Sequence, residues 1–177
     1  WQSVRSRLPW LCVNLGTAVF AGLVITVFQS TIAAVVALAI FLPVIAGQGG
    51  IVGTQTLTLI VRSMALGEIS TAHAGRLLIK EIRLGMINGL VLGLLSGVIA
   101  MIWQGNWFLA LVVGVAMMGN LVVAGISGVL VPLGLKSLRI DPALASAVAV
   151  TTVTDVVGFL IYLSLATATM SLIIQGF

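Results

Sequence analysis

Charged residues in this sequence are confined almost entirely to short stretches between long apolar runs, and that spacing constrains the fold more than any other feature. A helix needs about 20 consecutive apolar residues to cross the hydrocarbon core of a bilayer, and the runs here reach or exceed that length. Charged residues make up 7 % of the chain, against roughly 25 % in a soluble domain. So few cannot cover a water-facing surface, so lipid is the expected solvent for most of the chain.

The runs predict an all-α integral membrane protein with five transmembrane helices, at about residues 8–29, 31–63, 84–104, 107–135 and 142–174. The second and fifth runs are longer than a crossing requires and should tilt, bend or project from the bilayer. Between the third and fourth runs, Gln104-Gly105-Asn106-Trp107 forms a short polar turn. Trp103 and Trp107 on either side suit a membrane interface. Asp141 is a suitable N-cap for the fifth helix, with Pro142 in its first turn.

Orientation follows from the basic residues. Arg5 and Arg7 precede the first run, Arg62, Arg76, Lys80 and Arg83 follow the second, and Lys136 and Arg139 follow the fourth. Five crossings put all eight on one side. The positive-inside rule makes that side cytoplasmic, with the carboxyl terminus extracytoplasmic, in a plasma (inner) membrane. The net charge of +4 does not imply nucleic-acid binding, because the basic residues punctuate apolar runs and form no patch. Cys12 is the single cysteine, so no internal disulfide forms, and it reads as a small packed or lipid-facing residue. No cleavable signal peptide is visible, and a start at Trp1 leads us to expect a fragment or a processed form.

The polar connection from Gly67 to Glu81 places Arg76 and Lys80 on one helical face, which suggests an interfacial helix. His73, the single histidine, reads as a solvated loop residue. A weak internal repeat relates Val44–Gly50 to Val122–Gly128 and maps the first hairpin onto the second.

Three runs contain more than apolar filler. In the third, Gly85, Gly89, Gly93 and Gly97 recur every four residues and form a flat stripe for helix packing. In the second, Pro43 should bend the helix. Gly47, Gly49, Gly50 and Gly53 follow, among Gln48, Thr54, Gln55, Thr56 and Thr58. Such a run should weaken the helix at membrane depth, which is tolerated only against protein or a watery cavity, so we read it as pore-lining. In the fifth, Asp155 is the single acid well inside a run. A carboxylate at the centre of a spanning helix costs about 2.5–3.5 kcal/mol on insertion scales. No Lys or Arg lies at comparable depth, so a wet cavity, a bound cation or a proton-carrying role is expected. Ala147, Thr151 and Asp155 follow one another turn by turn, with Thr152 and Thr154 beside them and Gly158 after them. That line reads as a cation path. Asn14 and Asn120, the other amides singled out within the runs, read as interhelical glue.

These residues resemble the membrane domain of the MgtE magnesium channels. The resemblance is carried by Arg7-Leu8-Pro9-Trp10-Leu11 with Asn14-Leu15, by Leu42-Pro43 through Gly47-Gln48-Gly49-Gly50-Ile51-Val52-Gly53-Thr54-Gln55, and by Thr151-Thr152-Val153-Thr154-Asp155-Val156-Val157-Gly158. Asp141-Pro142-Ala143-Leu144 extends it. It implies one transmembrane pore domain over residues 1–177, in a homodimer with the pore on its two-fold axis, lined by the second and fifth spans. Pro43, Gly47, Gly49, Gly50, Gly53, Thr154 and Gly158 would line that pore. Asp155 would bind hydrated Mg2+ with the carbonyl of Thr151, and Ala147 would stand one turn away. Mn2+, Co2+ and Ca2+ stay open as further ions. Mg2+ sheds water reluctantly, so two facing carboxylates around a hydrated ion suit it. Two departures stand out. Ile51 occupies a position where the family pattern reads Asn, and the cytosolic amino-terminal and CBS domains of full-length members are not in this sequence.

The principal alternative is a Na+- or H+-coupled divalent-cation transporter, which the scarcity of further ionisable groups in the spans disfavours. Gly125-Ile126-Ser127-Gly128 matches a pattern around intramembrane serine nucleophiles, but the only histidine available as a base lies in a polar loop, so no enzyme is expected. A non-conducting scaffold is the third reading, and it would be indifferent to loss of Asp155.

Overall fold

Seven helices account for nearly all of the described residues, 2–68, 74–140 and 142–176, of the computed structural model. They are α1 (Gln2–Val27), α2 (Gln29–Ala34), α3 (Leu38–Ala65), α4 (Ala74–Gln104), α5 (Trp107–Ser137), α6 (Pro142–Ala168) and α7 (Met170–Gln175). Five of them, α1, α3, α4, α5 and α6, are long and apolar enough to cross a membrane. The protein is an all-helical, multi-pass membrane protein.

The two longest runs are divided. The second begins its crossing only at Leu38, because residues 29–34 form the separate helix α2, after which the backbone turns at Val35. Thr31 at this turn is buried, with its hydroxyl 2.9 Å from that of Thr167 on α6. The fifth run breaks at Thr169, whose hydroxyl bonds back to the carbonyl of Leu165 at 2.7 Å. Such back-bonding competes with helix continuation, and here α7 starts one residue later.

The third run differs in the opposite sense. Helix α4 starts at Ala74, so the turns expected as an interfacial helix are its first turns. Leu77 and Leu78 pack on Ile60, Met64, Val129 and Leu133, while Arg76 and Lys80 are exposed. The apolar face expected to lie on a bilayer is covered by α3 and α5 instead. The same cluster gathers the end of α3, the start of α4 and the end of α5, which brings their basic residues to one end of the bundle. Asp141 and His73 lie outside the described residues.

Helix α5 is the hub. It packs on α3, α4 and α6, and its buried face includes Leu109, Val113, Ala116, Met117 and Leu121. Helix α4 approaches it through small residues. A Cβ on Gly93 would stand 2.6 Å from the carbonyl oxygen of Gly114, and one on Gly85 2.9 Å from that of Leu121. Gly89 and Gly97 meet the backbone of Met118 and Ala110 in the same way. Backbones this close exchange dispersion contacts that larger side chains would prevent. At the turn between them, Gly105 has φ +67°. Asn106, fully buried, accepts from the N–H of Leu109 at 3.0 Å and donates to the carbonyl of Ile173 at 2.7 Å. One side chain thus caps α5 and anchors α7. Helix α1 packs on α6, and most of its surface, including Cys12 and Asn14, is exposed.

The glycine run of α3 does not loosen the helix. From Leu38 to Ala65 it is continuous, with Pro43 in its second turn. Neighbouring helices hold it there. Gly49 and Gly53 are buried against α5 and α6, where side chains would collide with Asn120 and Val150. The expectation of a weakened helix is therefore corrected.

Candidate cation site

Helices α3 and α6 run antiparallel in close contact. The Tyr162 hydroxyl, buried, donates to the carbonyl of Leu38 at 3.2 Å. Eleven residues earlier on α6, the methyl of Thr151 lies 3.8 Å from where a Cβ on Gly50 would stand. This register sets Asp155, one turn beyond Thr151, level with Ala46 and Gly47 of α3. Asp155 is half-buried and sits at the middle of the 27-residue helix α6, ~20 Å from either end at 1.5 Å per residue. Among the described residues, no group of three or more His, Cys, Asp or Glu side chains could hold a metal ion. One carboxylate cannot replace the octahedral oxygen shell of Mg2+, but it can accept hydrogen bonds from the ion's waters.

The threonines along the two helices direct their hydroxyl donors to their own backbone. Thr151 Oγ1 donates to the carbonyls of Ala147 and Val148, at 3.0 and 3.1 Å. Thr152 Oγ1 donates to Val148 at 2.7 Å. On α3, Thr54 Oγ1 donates to Gly50 at 2.8 Å, and Thr58 Oγ1 to Thr54 at 2.7 Å. Each hydroxyl has spent its proton on its own helix, so its lone pairs remain for a cation's hydration water. Thr154 differs. It is fully buried and donates to the carbonyl of Thr151 at 2.9 Å, so that carbonyl already has one side-chain donor.

The residues expected along the pore divide into two sets. Pro43 and Gly47 are exposed, Gly50 is half-buried, and Ile51 is 52 % exposed on the same side of α3. Ala147 is exposed on α6. Gly49, Gly53, Thr154 and Gly158 are instead buried inside the bundle. Gly53 packs under Val150 and Thr154, while Gly49 and Gly158 both face the Asn120 amide. Their small size serves the packing of α3 and α6, and in this structure they line no open surface. Ser127, of the serine motif, is also buried and bonds the carbonyl of Ala124 at 3.1 Å.

Two polar features carry more weight in the structure than in the sequence. Asn88 of α4 joins Gln48 and Gln55 around a recess of about 320 Å³ between α3 and α4. A lone Asn in the apolar run of α4 was the available signal. Glu81 accepts from buried Thr56 at 2.9 Å, and Gly125 and Gly128 of α5 leave room for this pair. A charged residue in a polar connection gave no sign of that contact.

A family model described as a divalent cation transporter, MgtE, matches residues 42–165, which takes in the whole of the α3–α6 site. The chain belongs to the MgtE family. It is 36 % identical over 162 residues to the magnesium transporter MgtE of Bacillus subtilis (strain 168), covering 92 % of this chain and 36 % of that protein. To the magnesium transporter MgtE of Enterococcus faecalis it is 34 % identical over 169 residues, covering 96 % of this chain and 37 % of the relative. To that of Thermus thermophilus it is 37 % identical over 161 residues, covering 91 % and 36 %. The chain thus spans little more than a third of the length of these MgtE relatives. The structure accordingly describes an MgtE membrane region in which a mid-helix carboxylate, Asp155, stands level with Gly47 of α3.

Proposed function

We propose that this chain forms the conducting part of a Mg2+ channel, in which two copies face each other across a pore on their two-fold axis. Helices α3 and α6 of each copy line the path. Pro43, Gly47 and Gly50 supply a narrow backbone surface on one side, and Ala147, Thr151 and Asp155 a polar line on the other. Asp155 of each copy binds the waters of a hydrated Mg2+, and the dication offsets the repulsion between two carboxylates. The observation that carries this reading is Asp155 itself, mid-helix and half-buried, level with Gly47 and in a chain of the MgtE family. The three relatives, all named magnesium transporters, point to Mg2+ as the conducted ion.

Transport measured in cells that depend on the protein for Mg2+ uptake tests this. Asp155→Ala should abolish uptake at matched expression, and Asp155→Glu should retain part of it, since the charge is kept but displaced by a methylene. Equal uptake by wild type and Asp155→Ala would overturn the proposal. Uptake that follows a Na+ or pH gradient with fixed stoichiometry would replace the channel with a coupled transporter.

A further inference from the structure

Asn120, on α5, touches both proposed pore helices near the level of Asp155. Its side chain is fully buried. Its Nδ2 donates to the carbonyl of Ile45 on α3 at 2.9 Å. The amide fills a slot between two glycines. A Cβ on Gly158 would stand 2.7 Å from Nδ2 and 2.9 Å from Oδ1, and a Cβ on Gly49 would meet the same amide. Gly158 is one turn beyond Asp155, and Gly49 is next to the glycine that faces Thr151. Its Oδ1 is buried with no hydrogen-bond partner. A buried acceptor without a donor weakens the fold, and a leucine of similar size would carry no such penalty. What the amide provides in return is the donor that reaches the Ile45 carbonyl.

We propose that Asn120 is a positioning residue for cation recognition, resting on the assignment of Asp155 as the ion-binding carboxylate. By bonding Ile45 on α3 and seating against Gly158 on α6, the amide fixes the separation and rotation of these two helical turns. That separation decides whether the Asp155 carboxylate and the glycine face accommodate one hydrated ion between them. A hydrated ion is recognised through hydrogen bonds from its waters, which are sensitive to displacements of well under an ångström. The role differs from the glue expected of an amide in a spanning helix, because its consequence is read at the ion and not only in stability.

Two variants and one reference test this in cells that depend on the protein for uptake, alongside thermal stability in detergent. Asn120→Leu removes the donor and keeps the volume. Gly158→Ala keeps the donor but pushes the amide off its seat, and because the atoms it meets belong to a side chain, the backbone need not move. Both should raise the Mg2+ concentration for half-maximal uptake about five- to tenfold through misplacement of the ion site. Asn120→Leu should stay close to wild type in stability, since it also removes the unpartnered Oδ1, whereas Gly158→Ala should lose some stability by crowding the buried amide. Wild-type half-saturation in either stable variant overturns the positioning role. So does a fall in maximal uptake that only tracks lost stability, at unchanged half-saturation. If Asn120→Leu does not accumulate, Gly158→Ala decides alone. Asp155→Ala is the reference: normal uptake there overturns the ion-site reading and this inference with it. Wild-type half-saturation in the Asn120 or Gly158 variant beside a silent Asp155→Ala overturns this inference alone.

Discussion

At the residue scale, neighbouring glycines of one helix do different work. Gly47 is exposed, and a Cβ there would have nothing within 4 Å. Gly53 is buried, and a Cβ there would stand 2.6 Å from Val150. We expect Gly53→Ala to lower stability by about 1–3 kcal/mol through overpacking. Gly47→Ala should leave stability unchanged or raise it by up to ~1 kcal/mol, because alanine is the better helix former. It should also reduce Mg2+ flux, since its methyl enters the proposed path level with Asp155. Thermal unfolding in detergent together with uptake separates the two. If Gly47→Ala carried full flux, that face of α3 would not line the path. The sequence showed that glycines cluster here, but not which way each one faces. That depends on where α5 and α6 pack, and only three-dimensional contact supplies it. Asp155 was legible because a carboxylate far inside an apolar run has few physical explanations. Asn120 was legible as interhelical glue, and it does bond the Ile45 carbonyl of α3, but its partner was not, since an amide within a spanning helix can bond any neighbour.

At the element scale, length and hydropathy located all five long apolar helices, because the bilayer sets a minimum apolar length for a spanning helix. The ends were less legible. Helix α4 begins at Ala74, ten residues ahead of its apolar run, because packing on α3 and α5 gives its first turns a partner. Residues 29–37 and 169–175 lie outside the crossings, because local breaks at Val35 and Thr169 redirect the chain. The α4 stripe was readable from its spacing alone, while its partner on α5 was not, since Gly114 has no comparable periodicity around it. At that crossing the clash partners are backbone atoms, which cannot swing aside. Gly93→Val should therefore destabilise the protein by more than ~3 kcal/mol, a large effect for a single substitution. Thermal unfolding within 0.5 kcal/mol of wild type, the usual range for a surface change, would show that α4 and α5 do not meet as closely as described.

At the scale of the whole molecule, we propose that the end of the bundle carrying the basic residues faces the cytoplasm. Arg139→Cys and Gln104→Cys, each in a Cys12→Ser background, should react with a membrane-impermeant maleimide from opposite sides, Arg139→Cys from the cytoplasm. Labelling of both from one face would contradict the five-span topology. One subunit also offers the ion too little, because a single half-buried carboxylate on an exposed flank neither encloses a path nor balances a dication. The proposal therefore requires two copies of Asp155 around one ion. Anomalous diffraction from the protein crystallised with Mn2+ locates such an ion directly. We predict a single peak between the two Asp155 side chains, at a distance from their oxygens clearly longer than the roughly 2.0–2.1 Å of direct coordination. The absence of a peak there, with Asp155 facing lipid or bonded to a neighbouring helix, would contradict it.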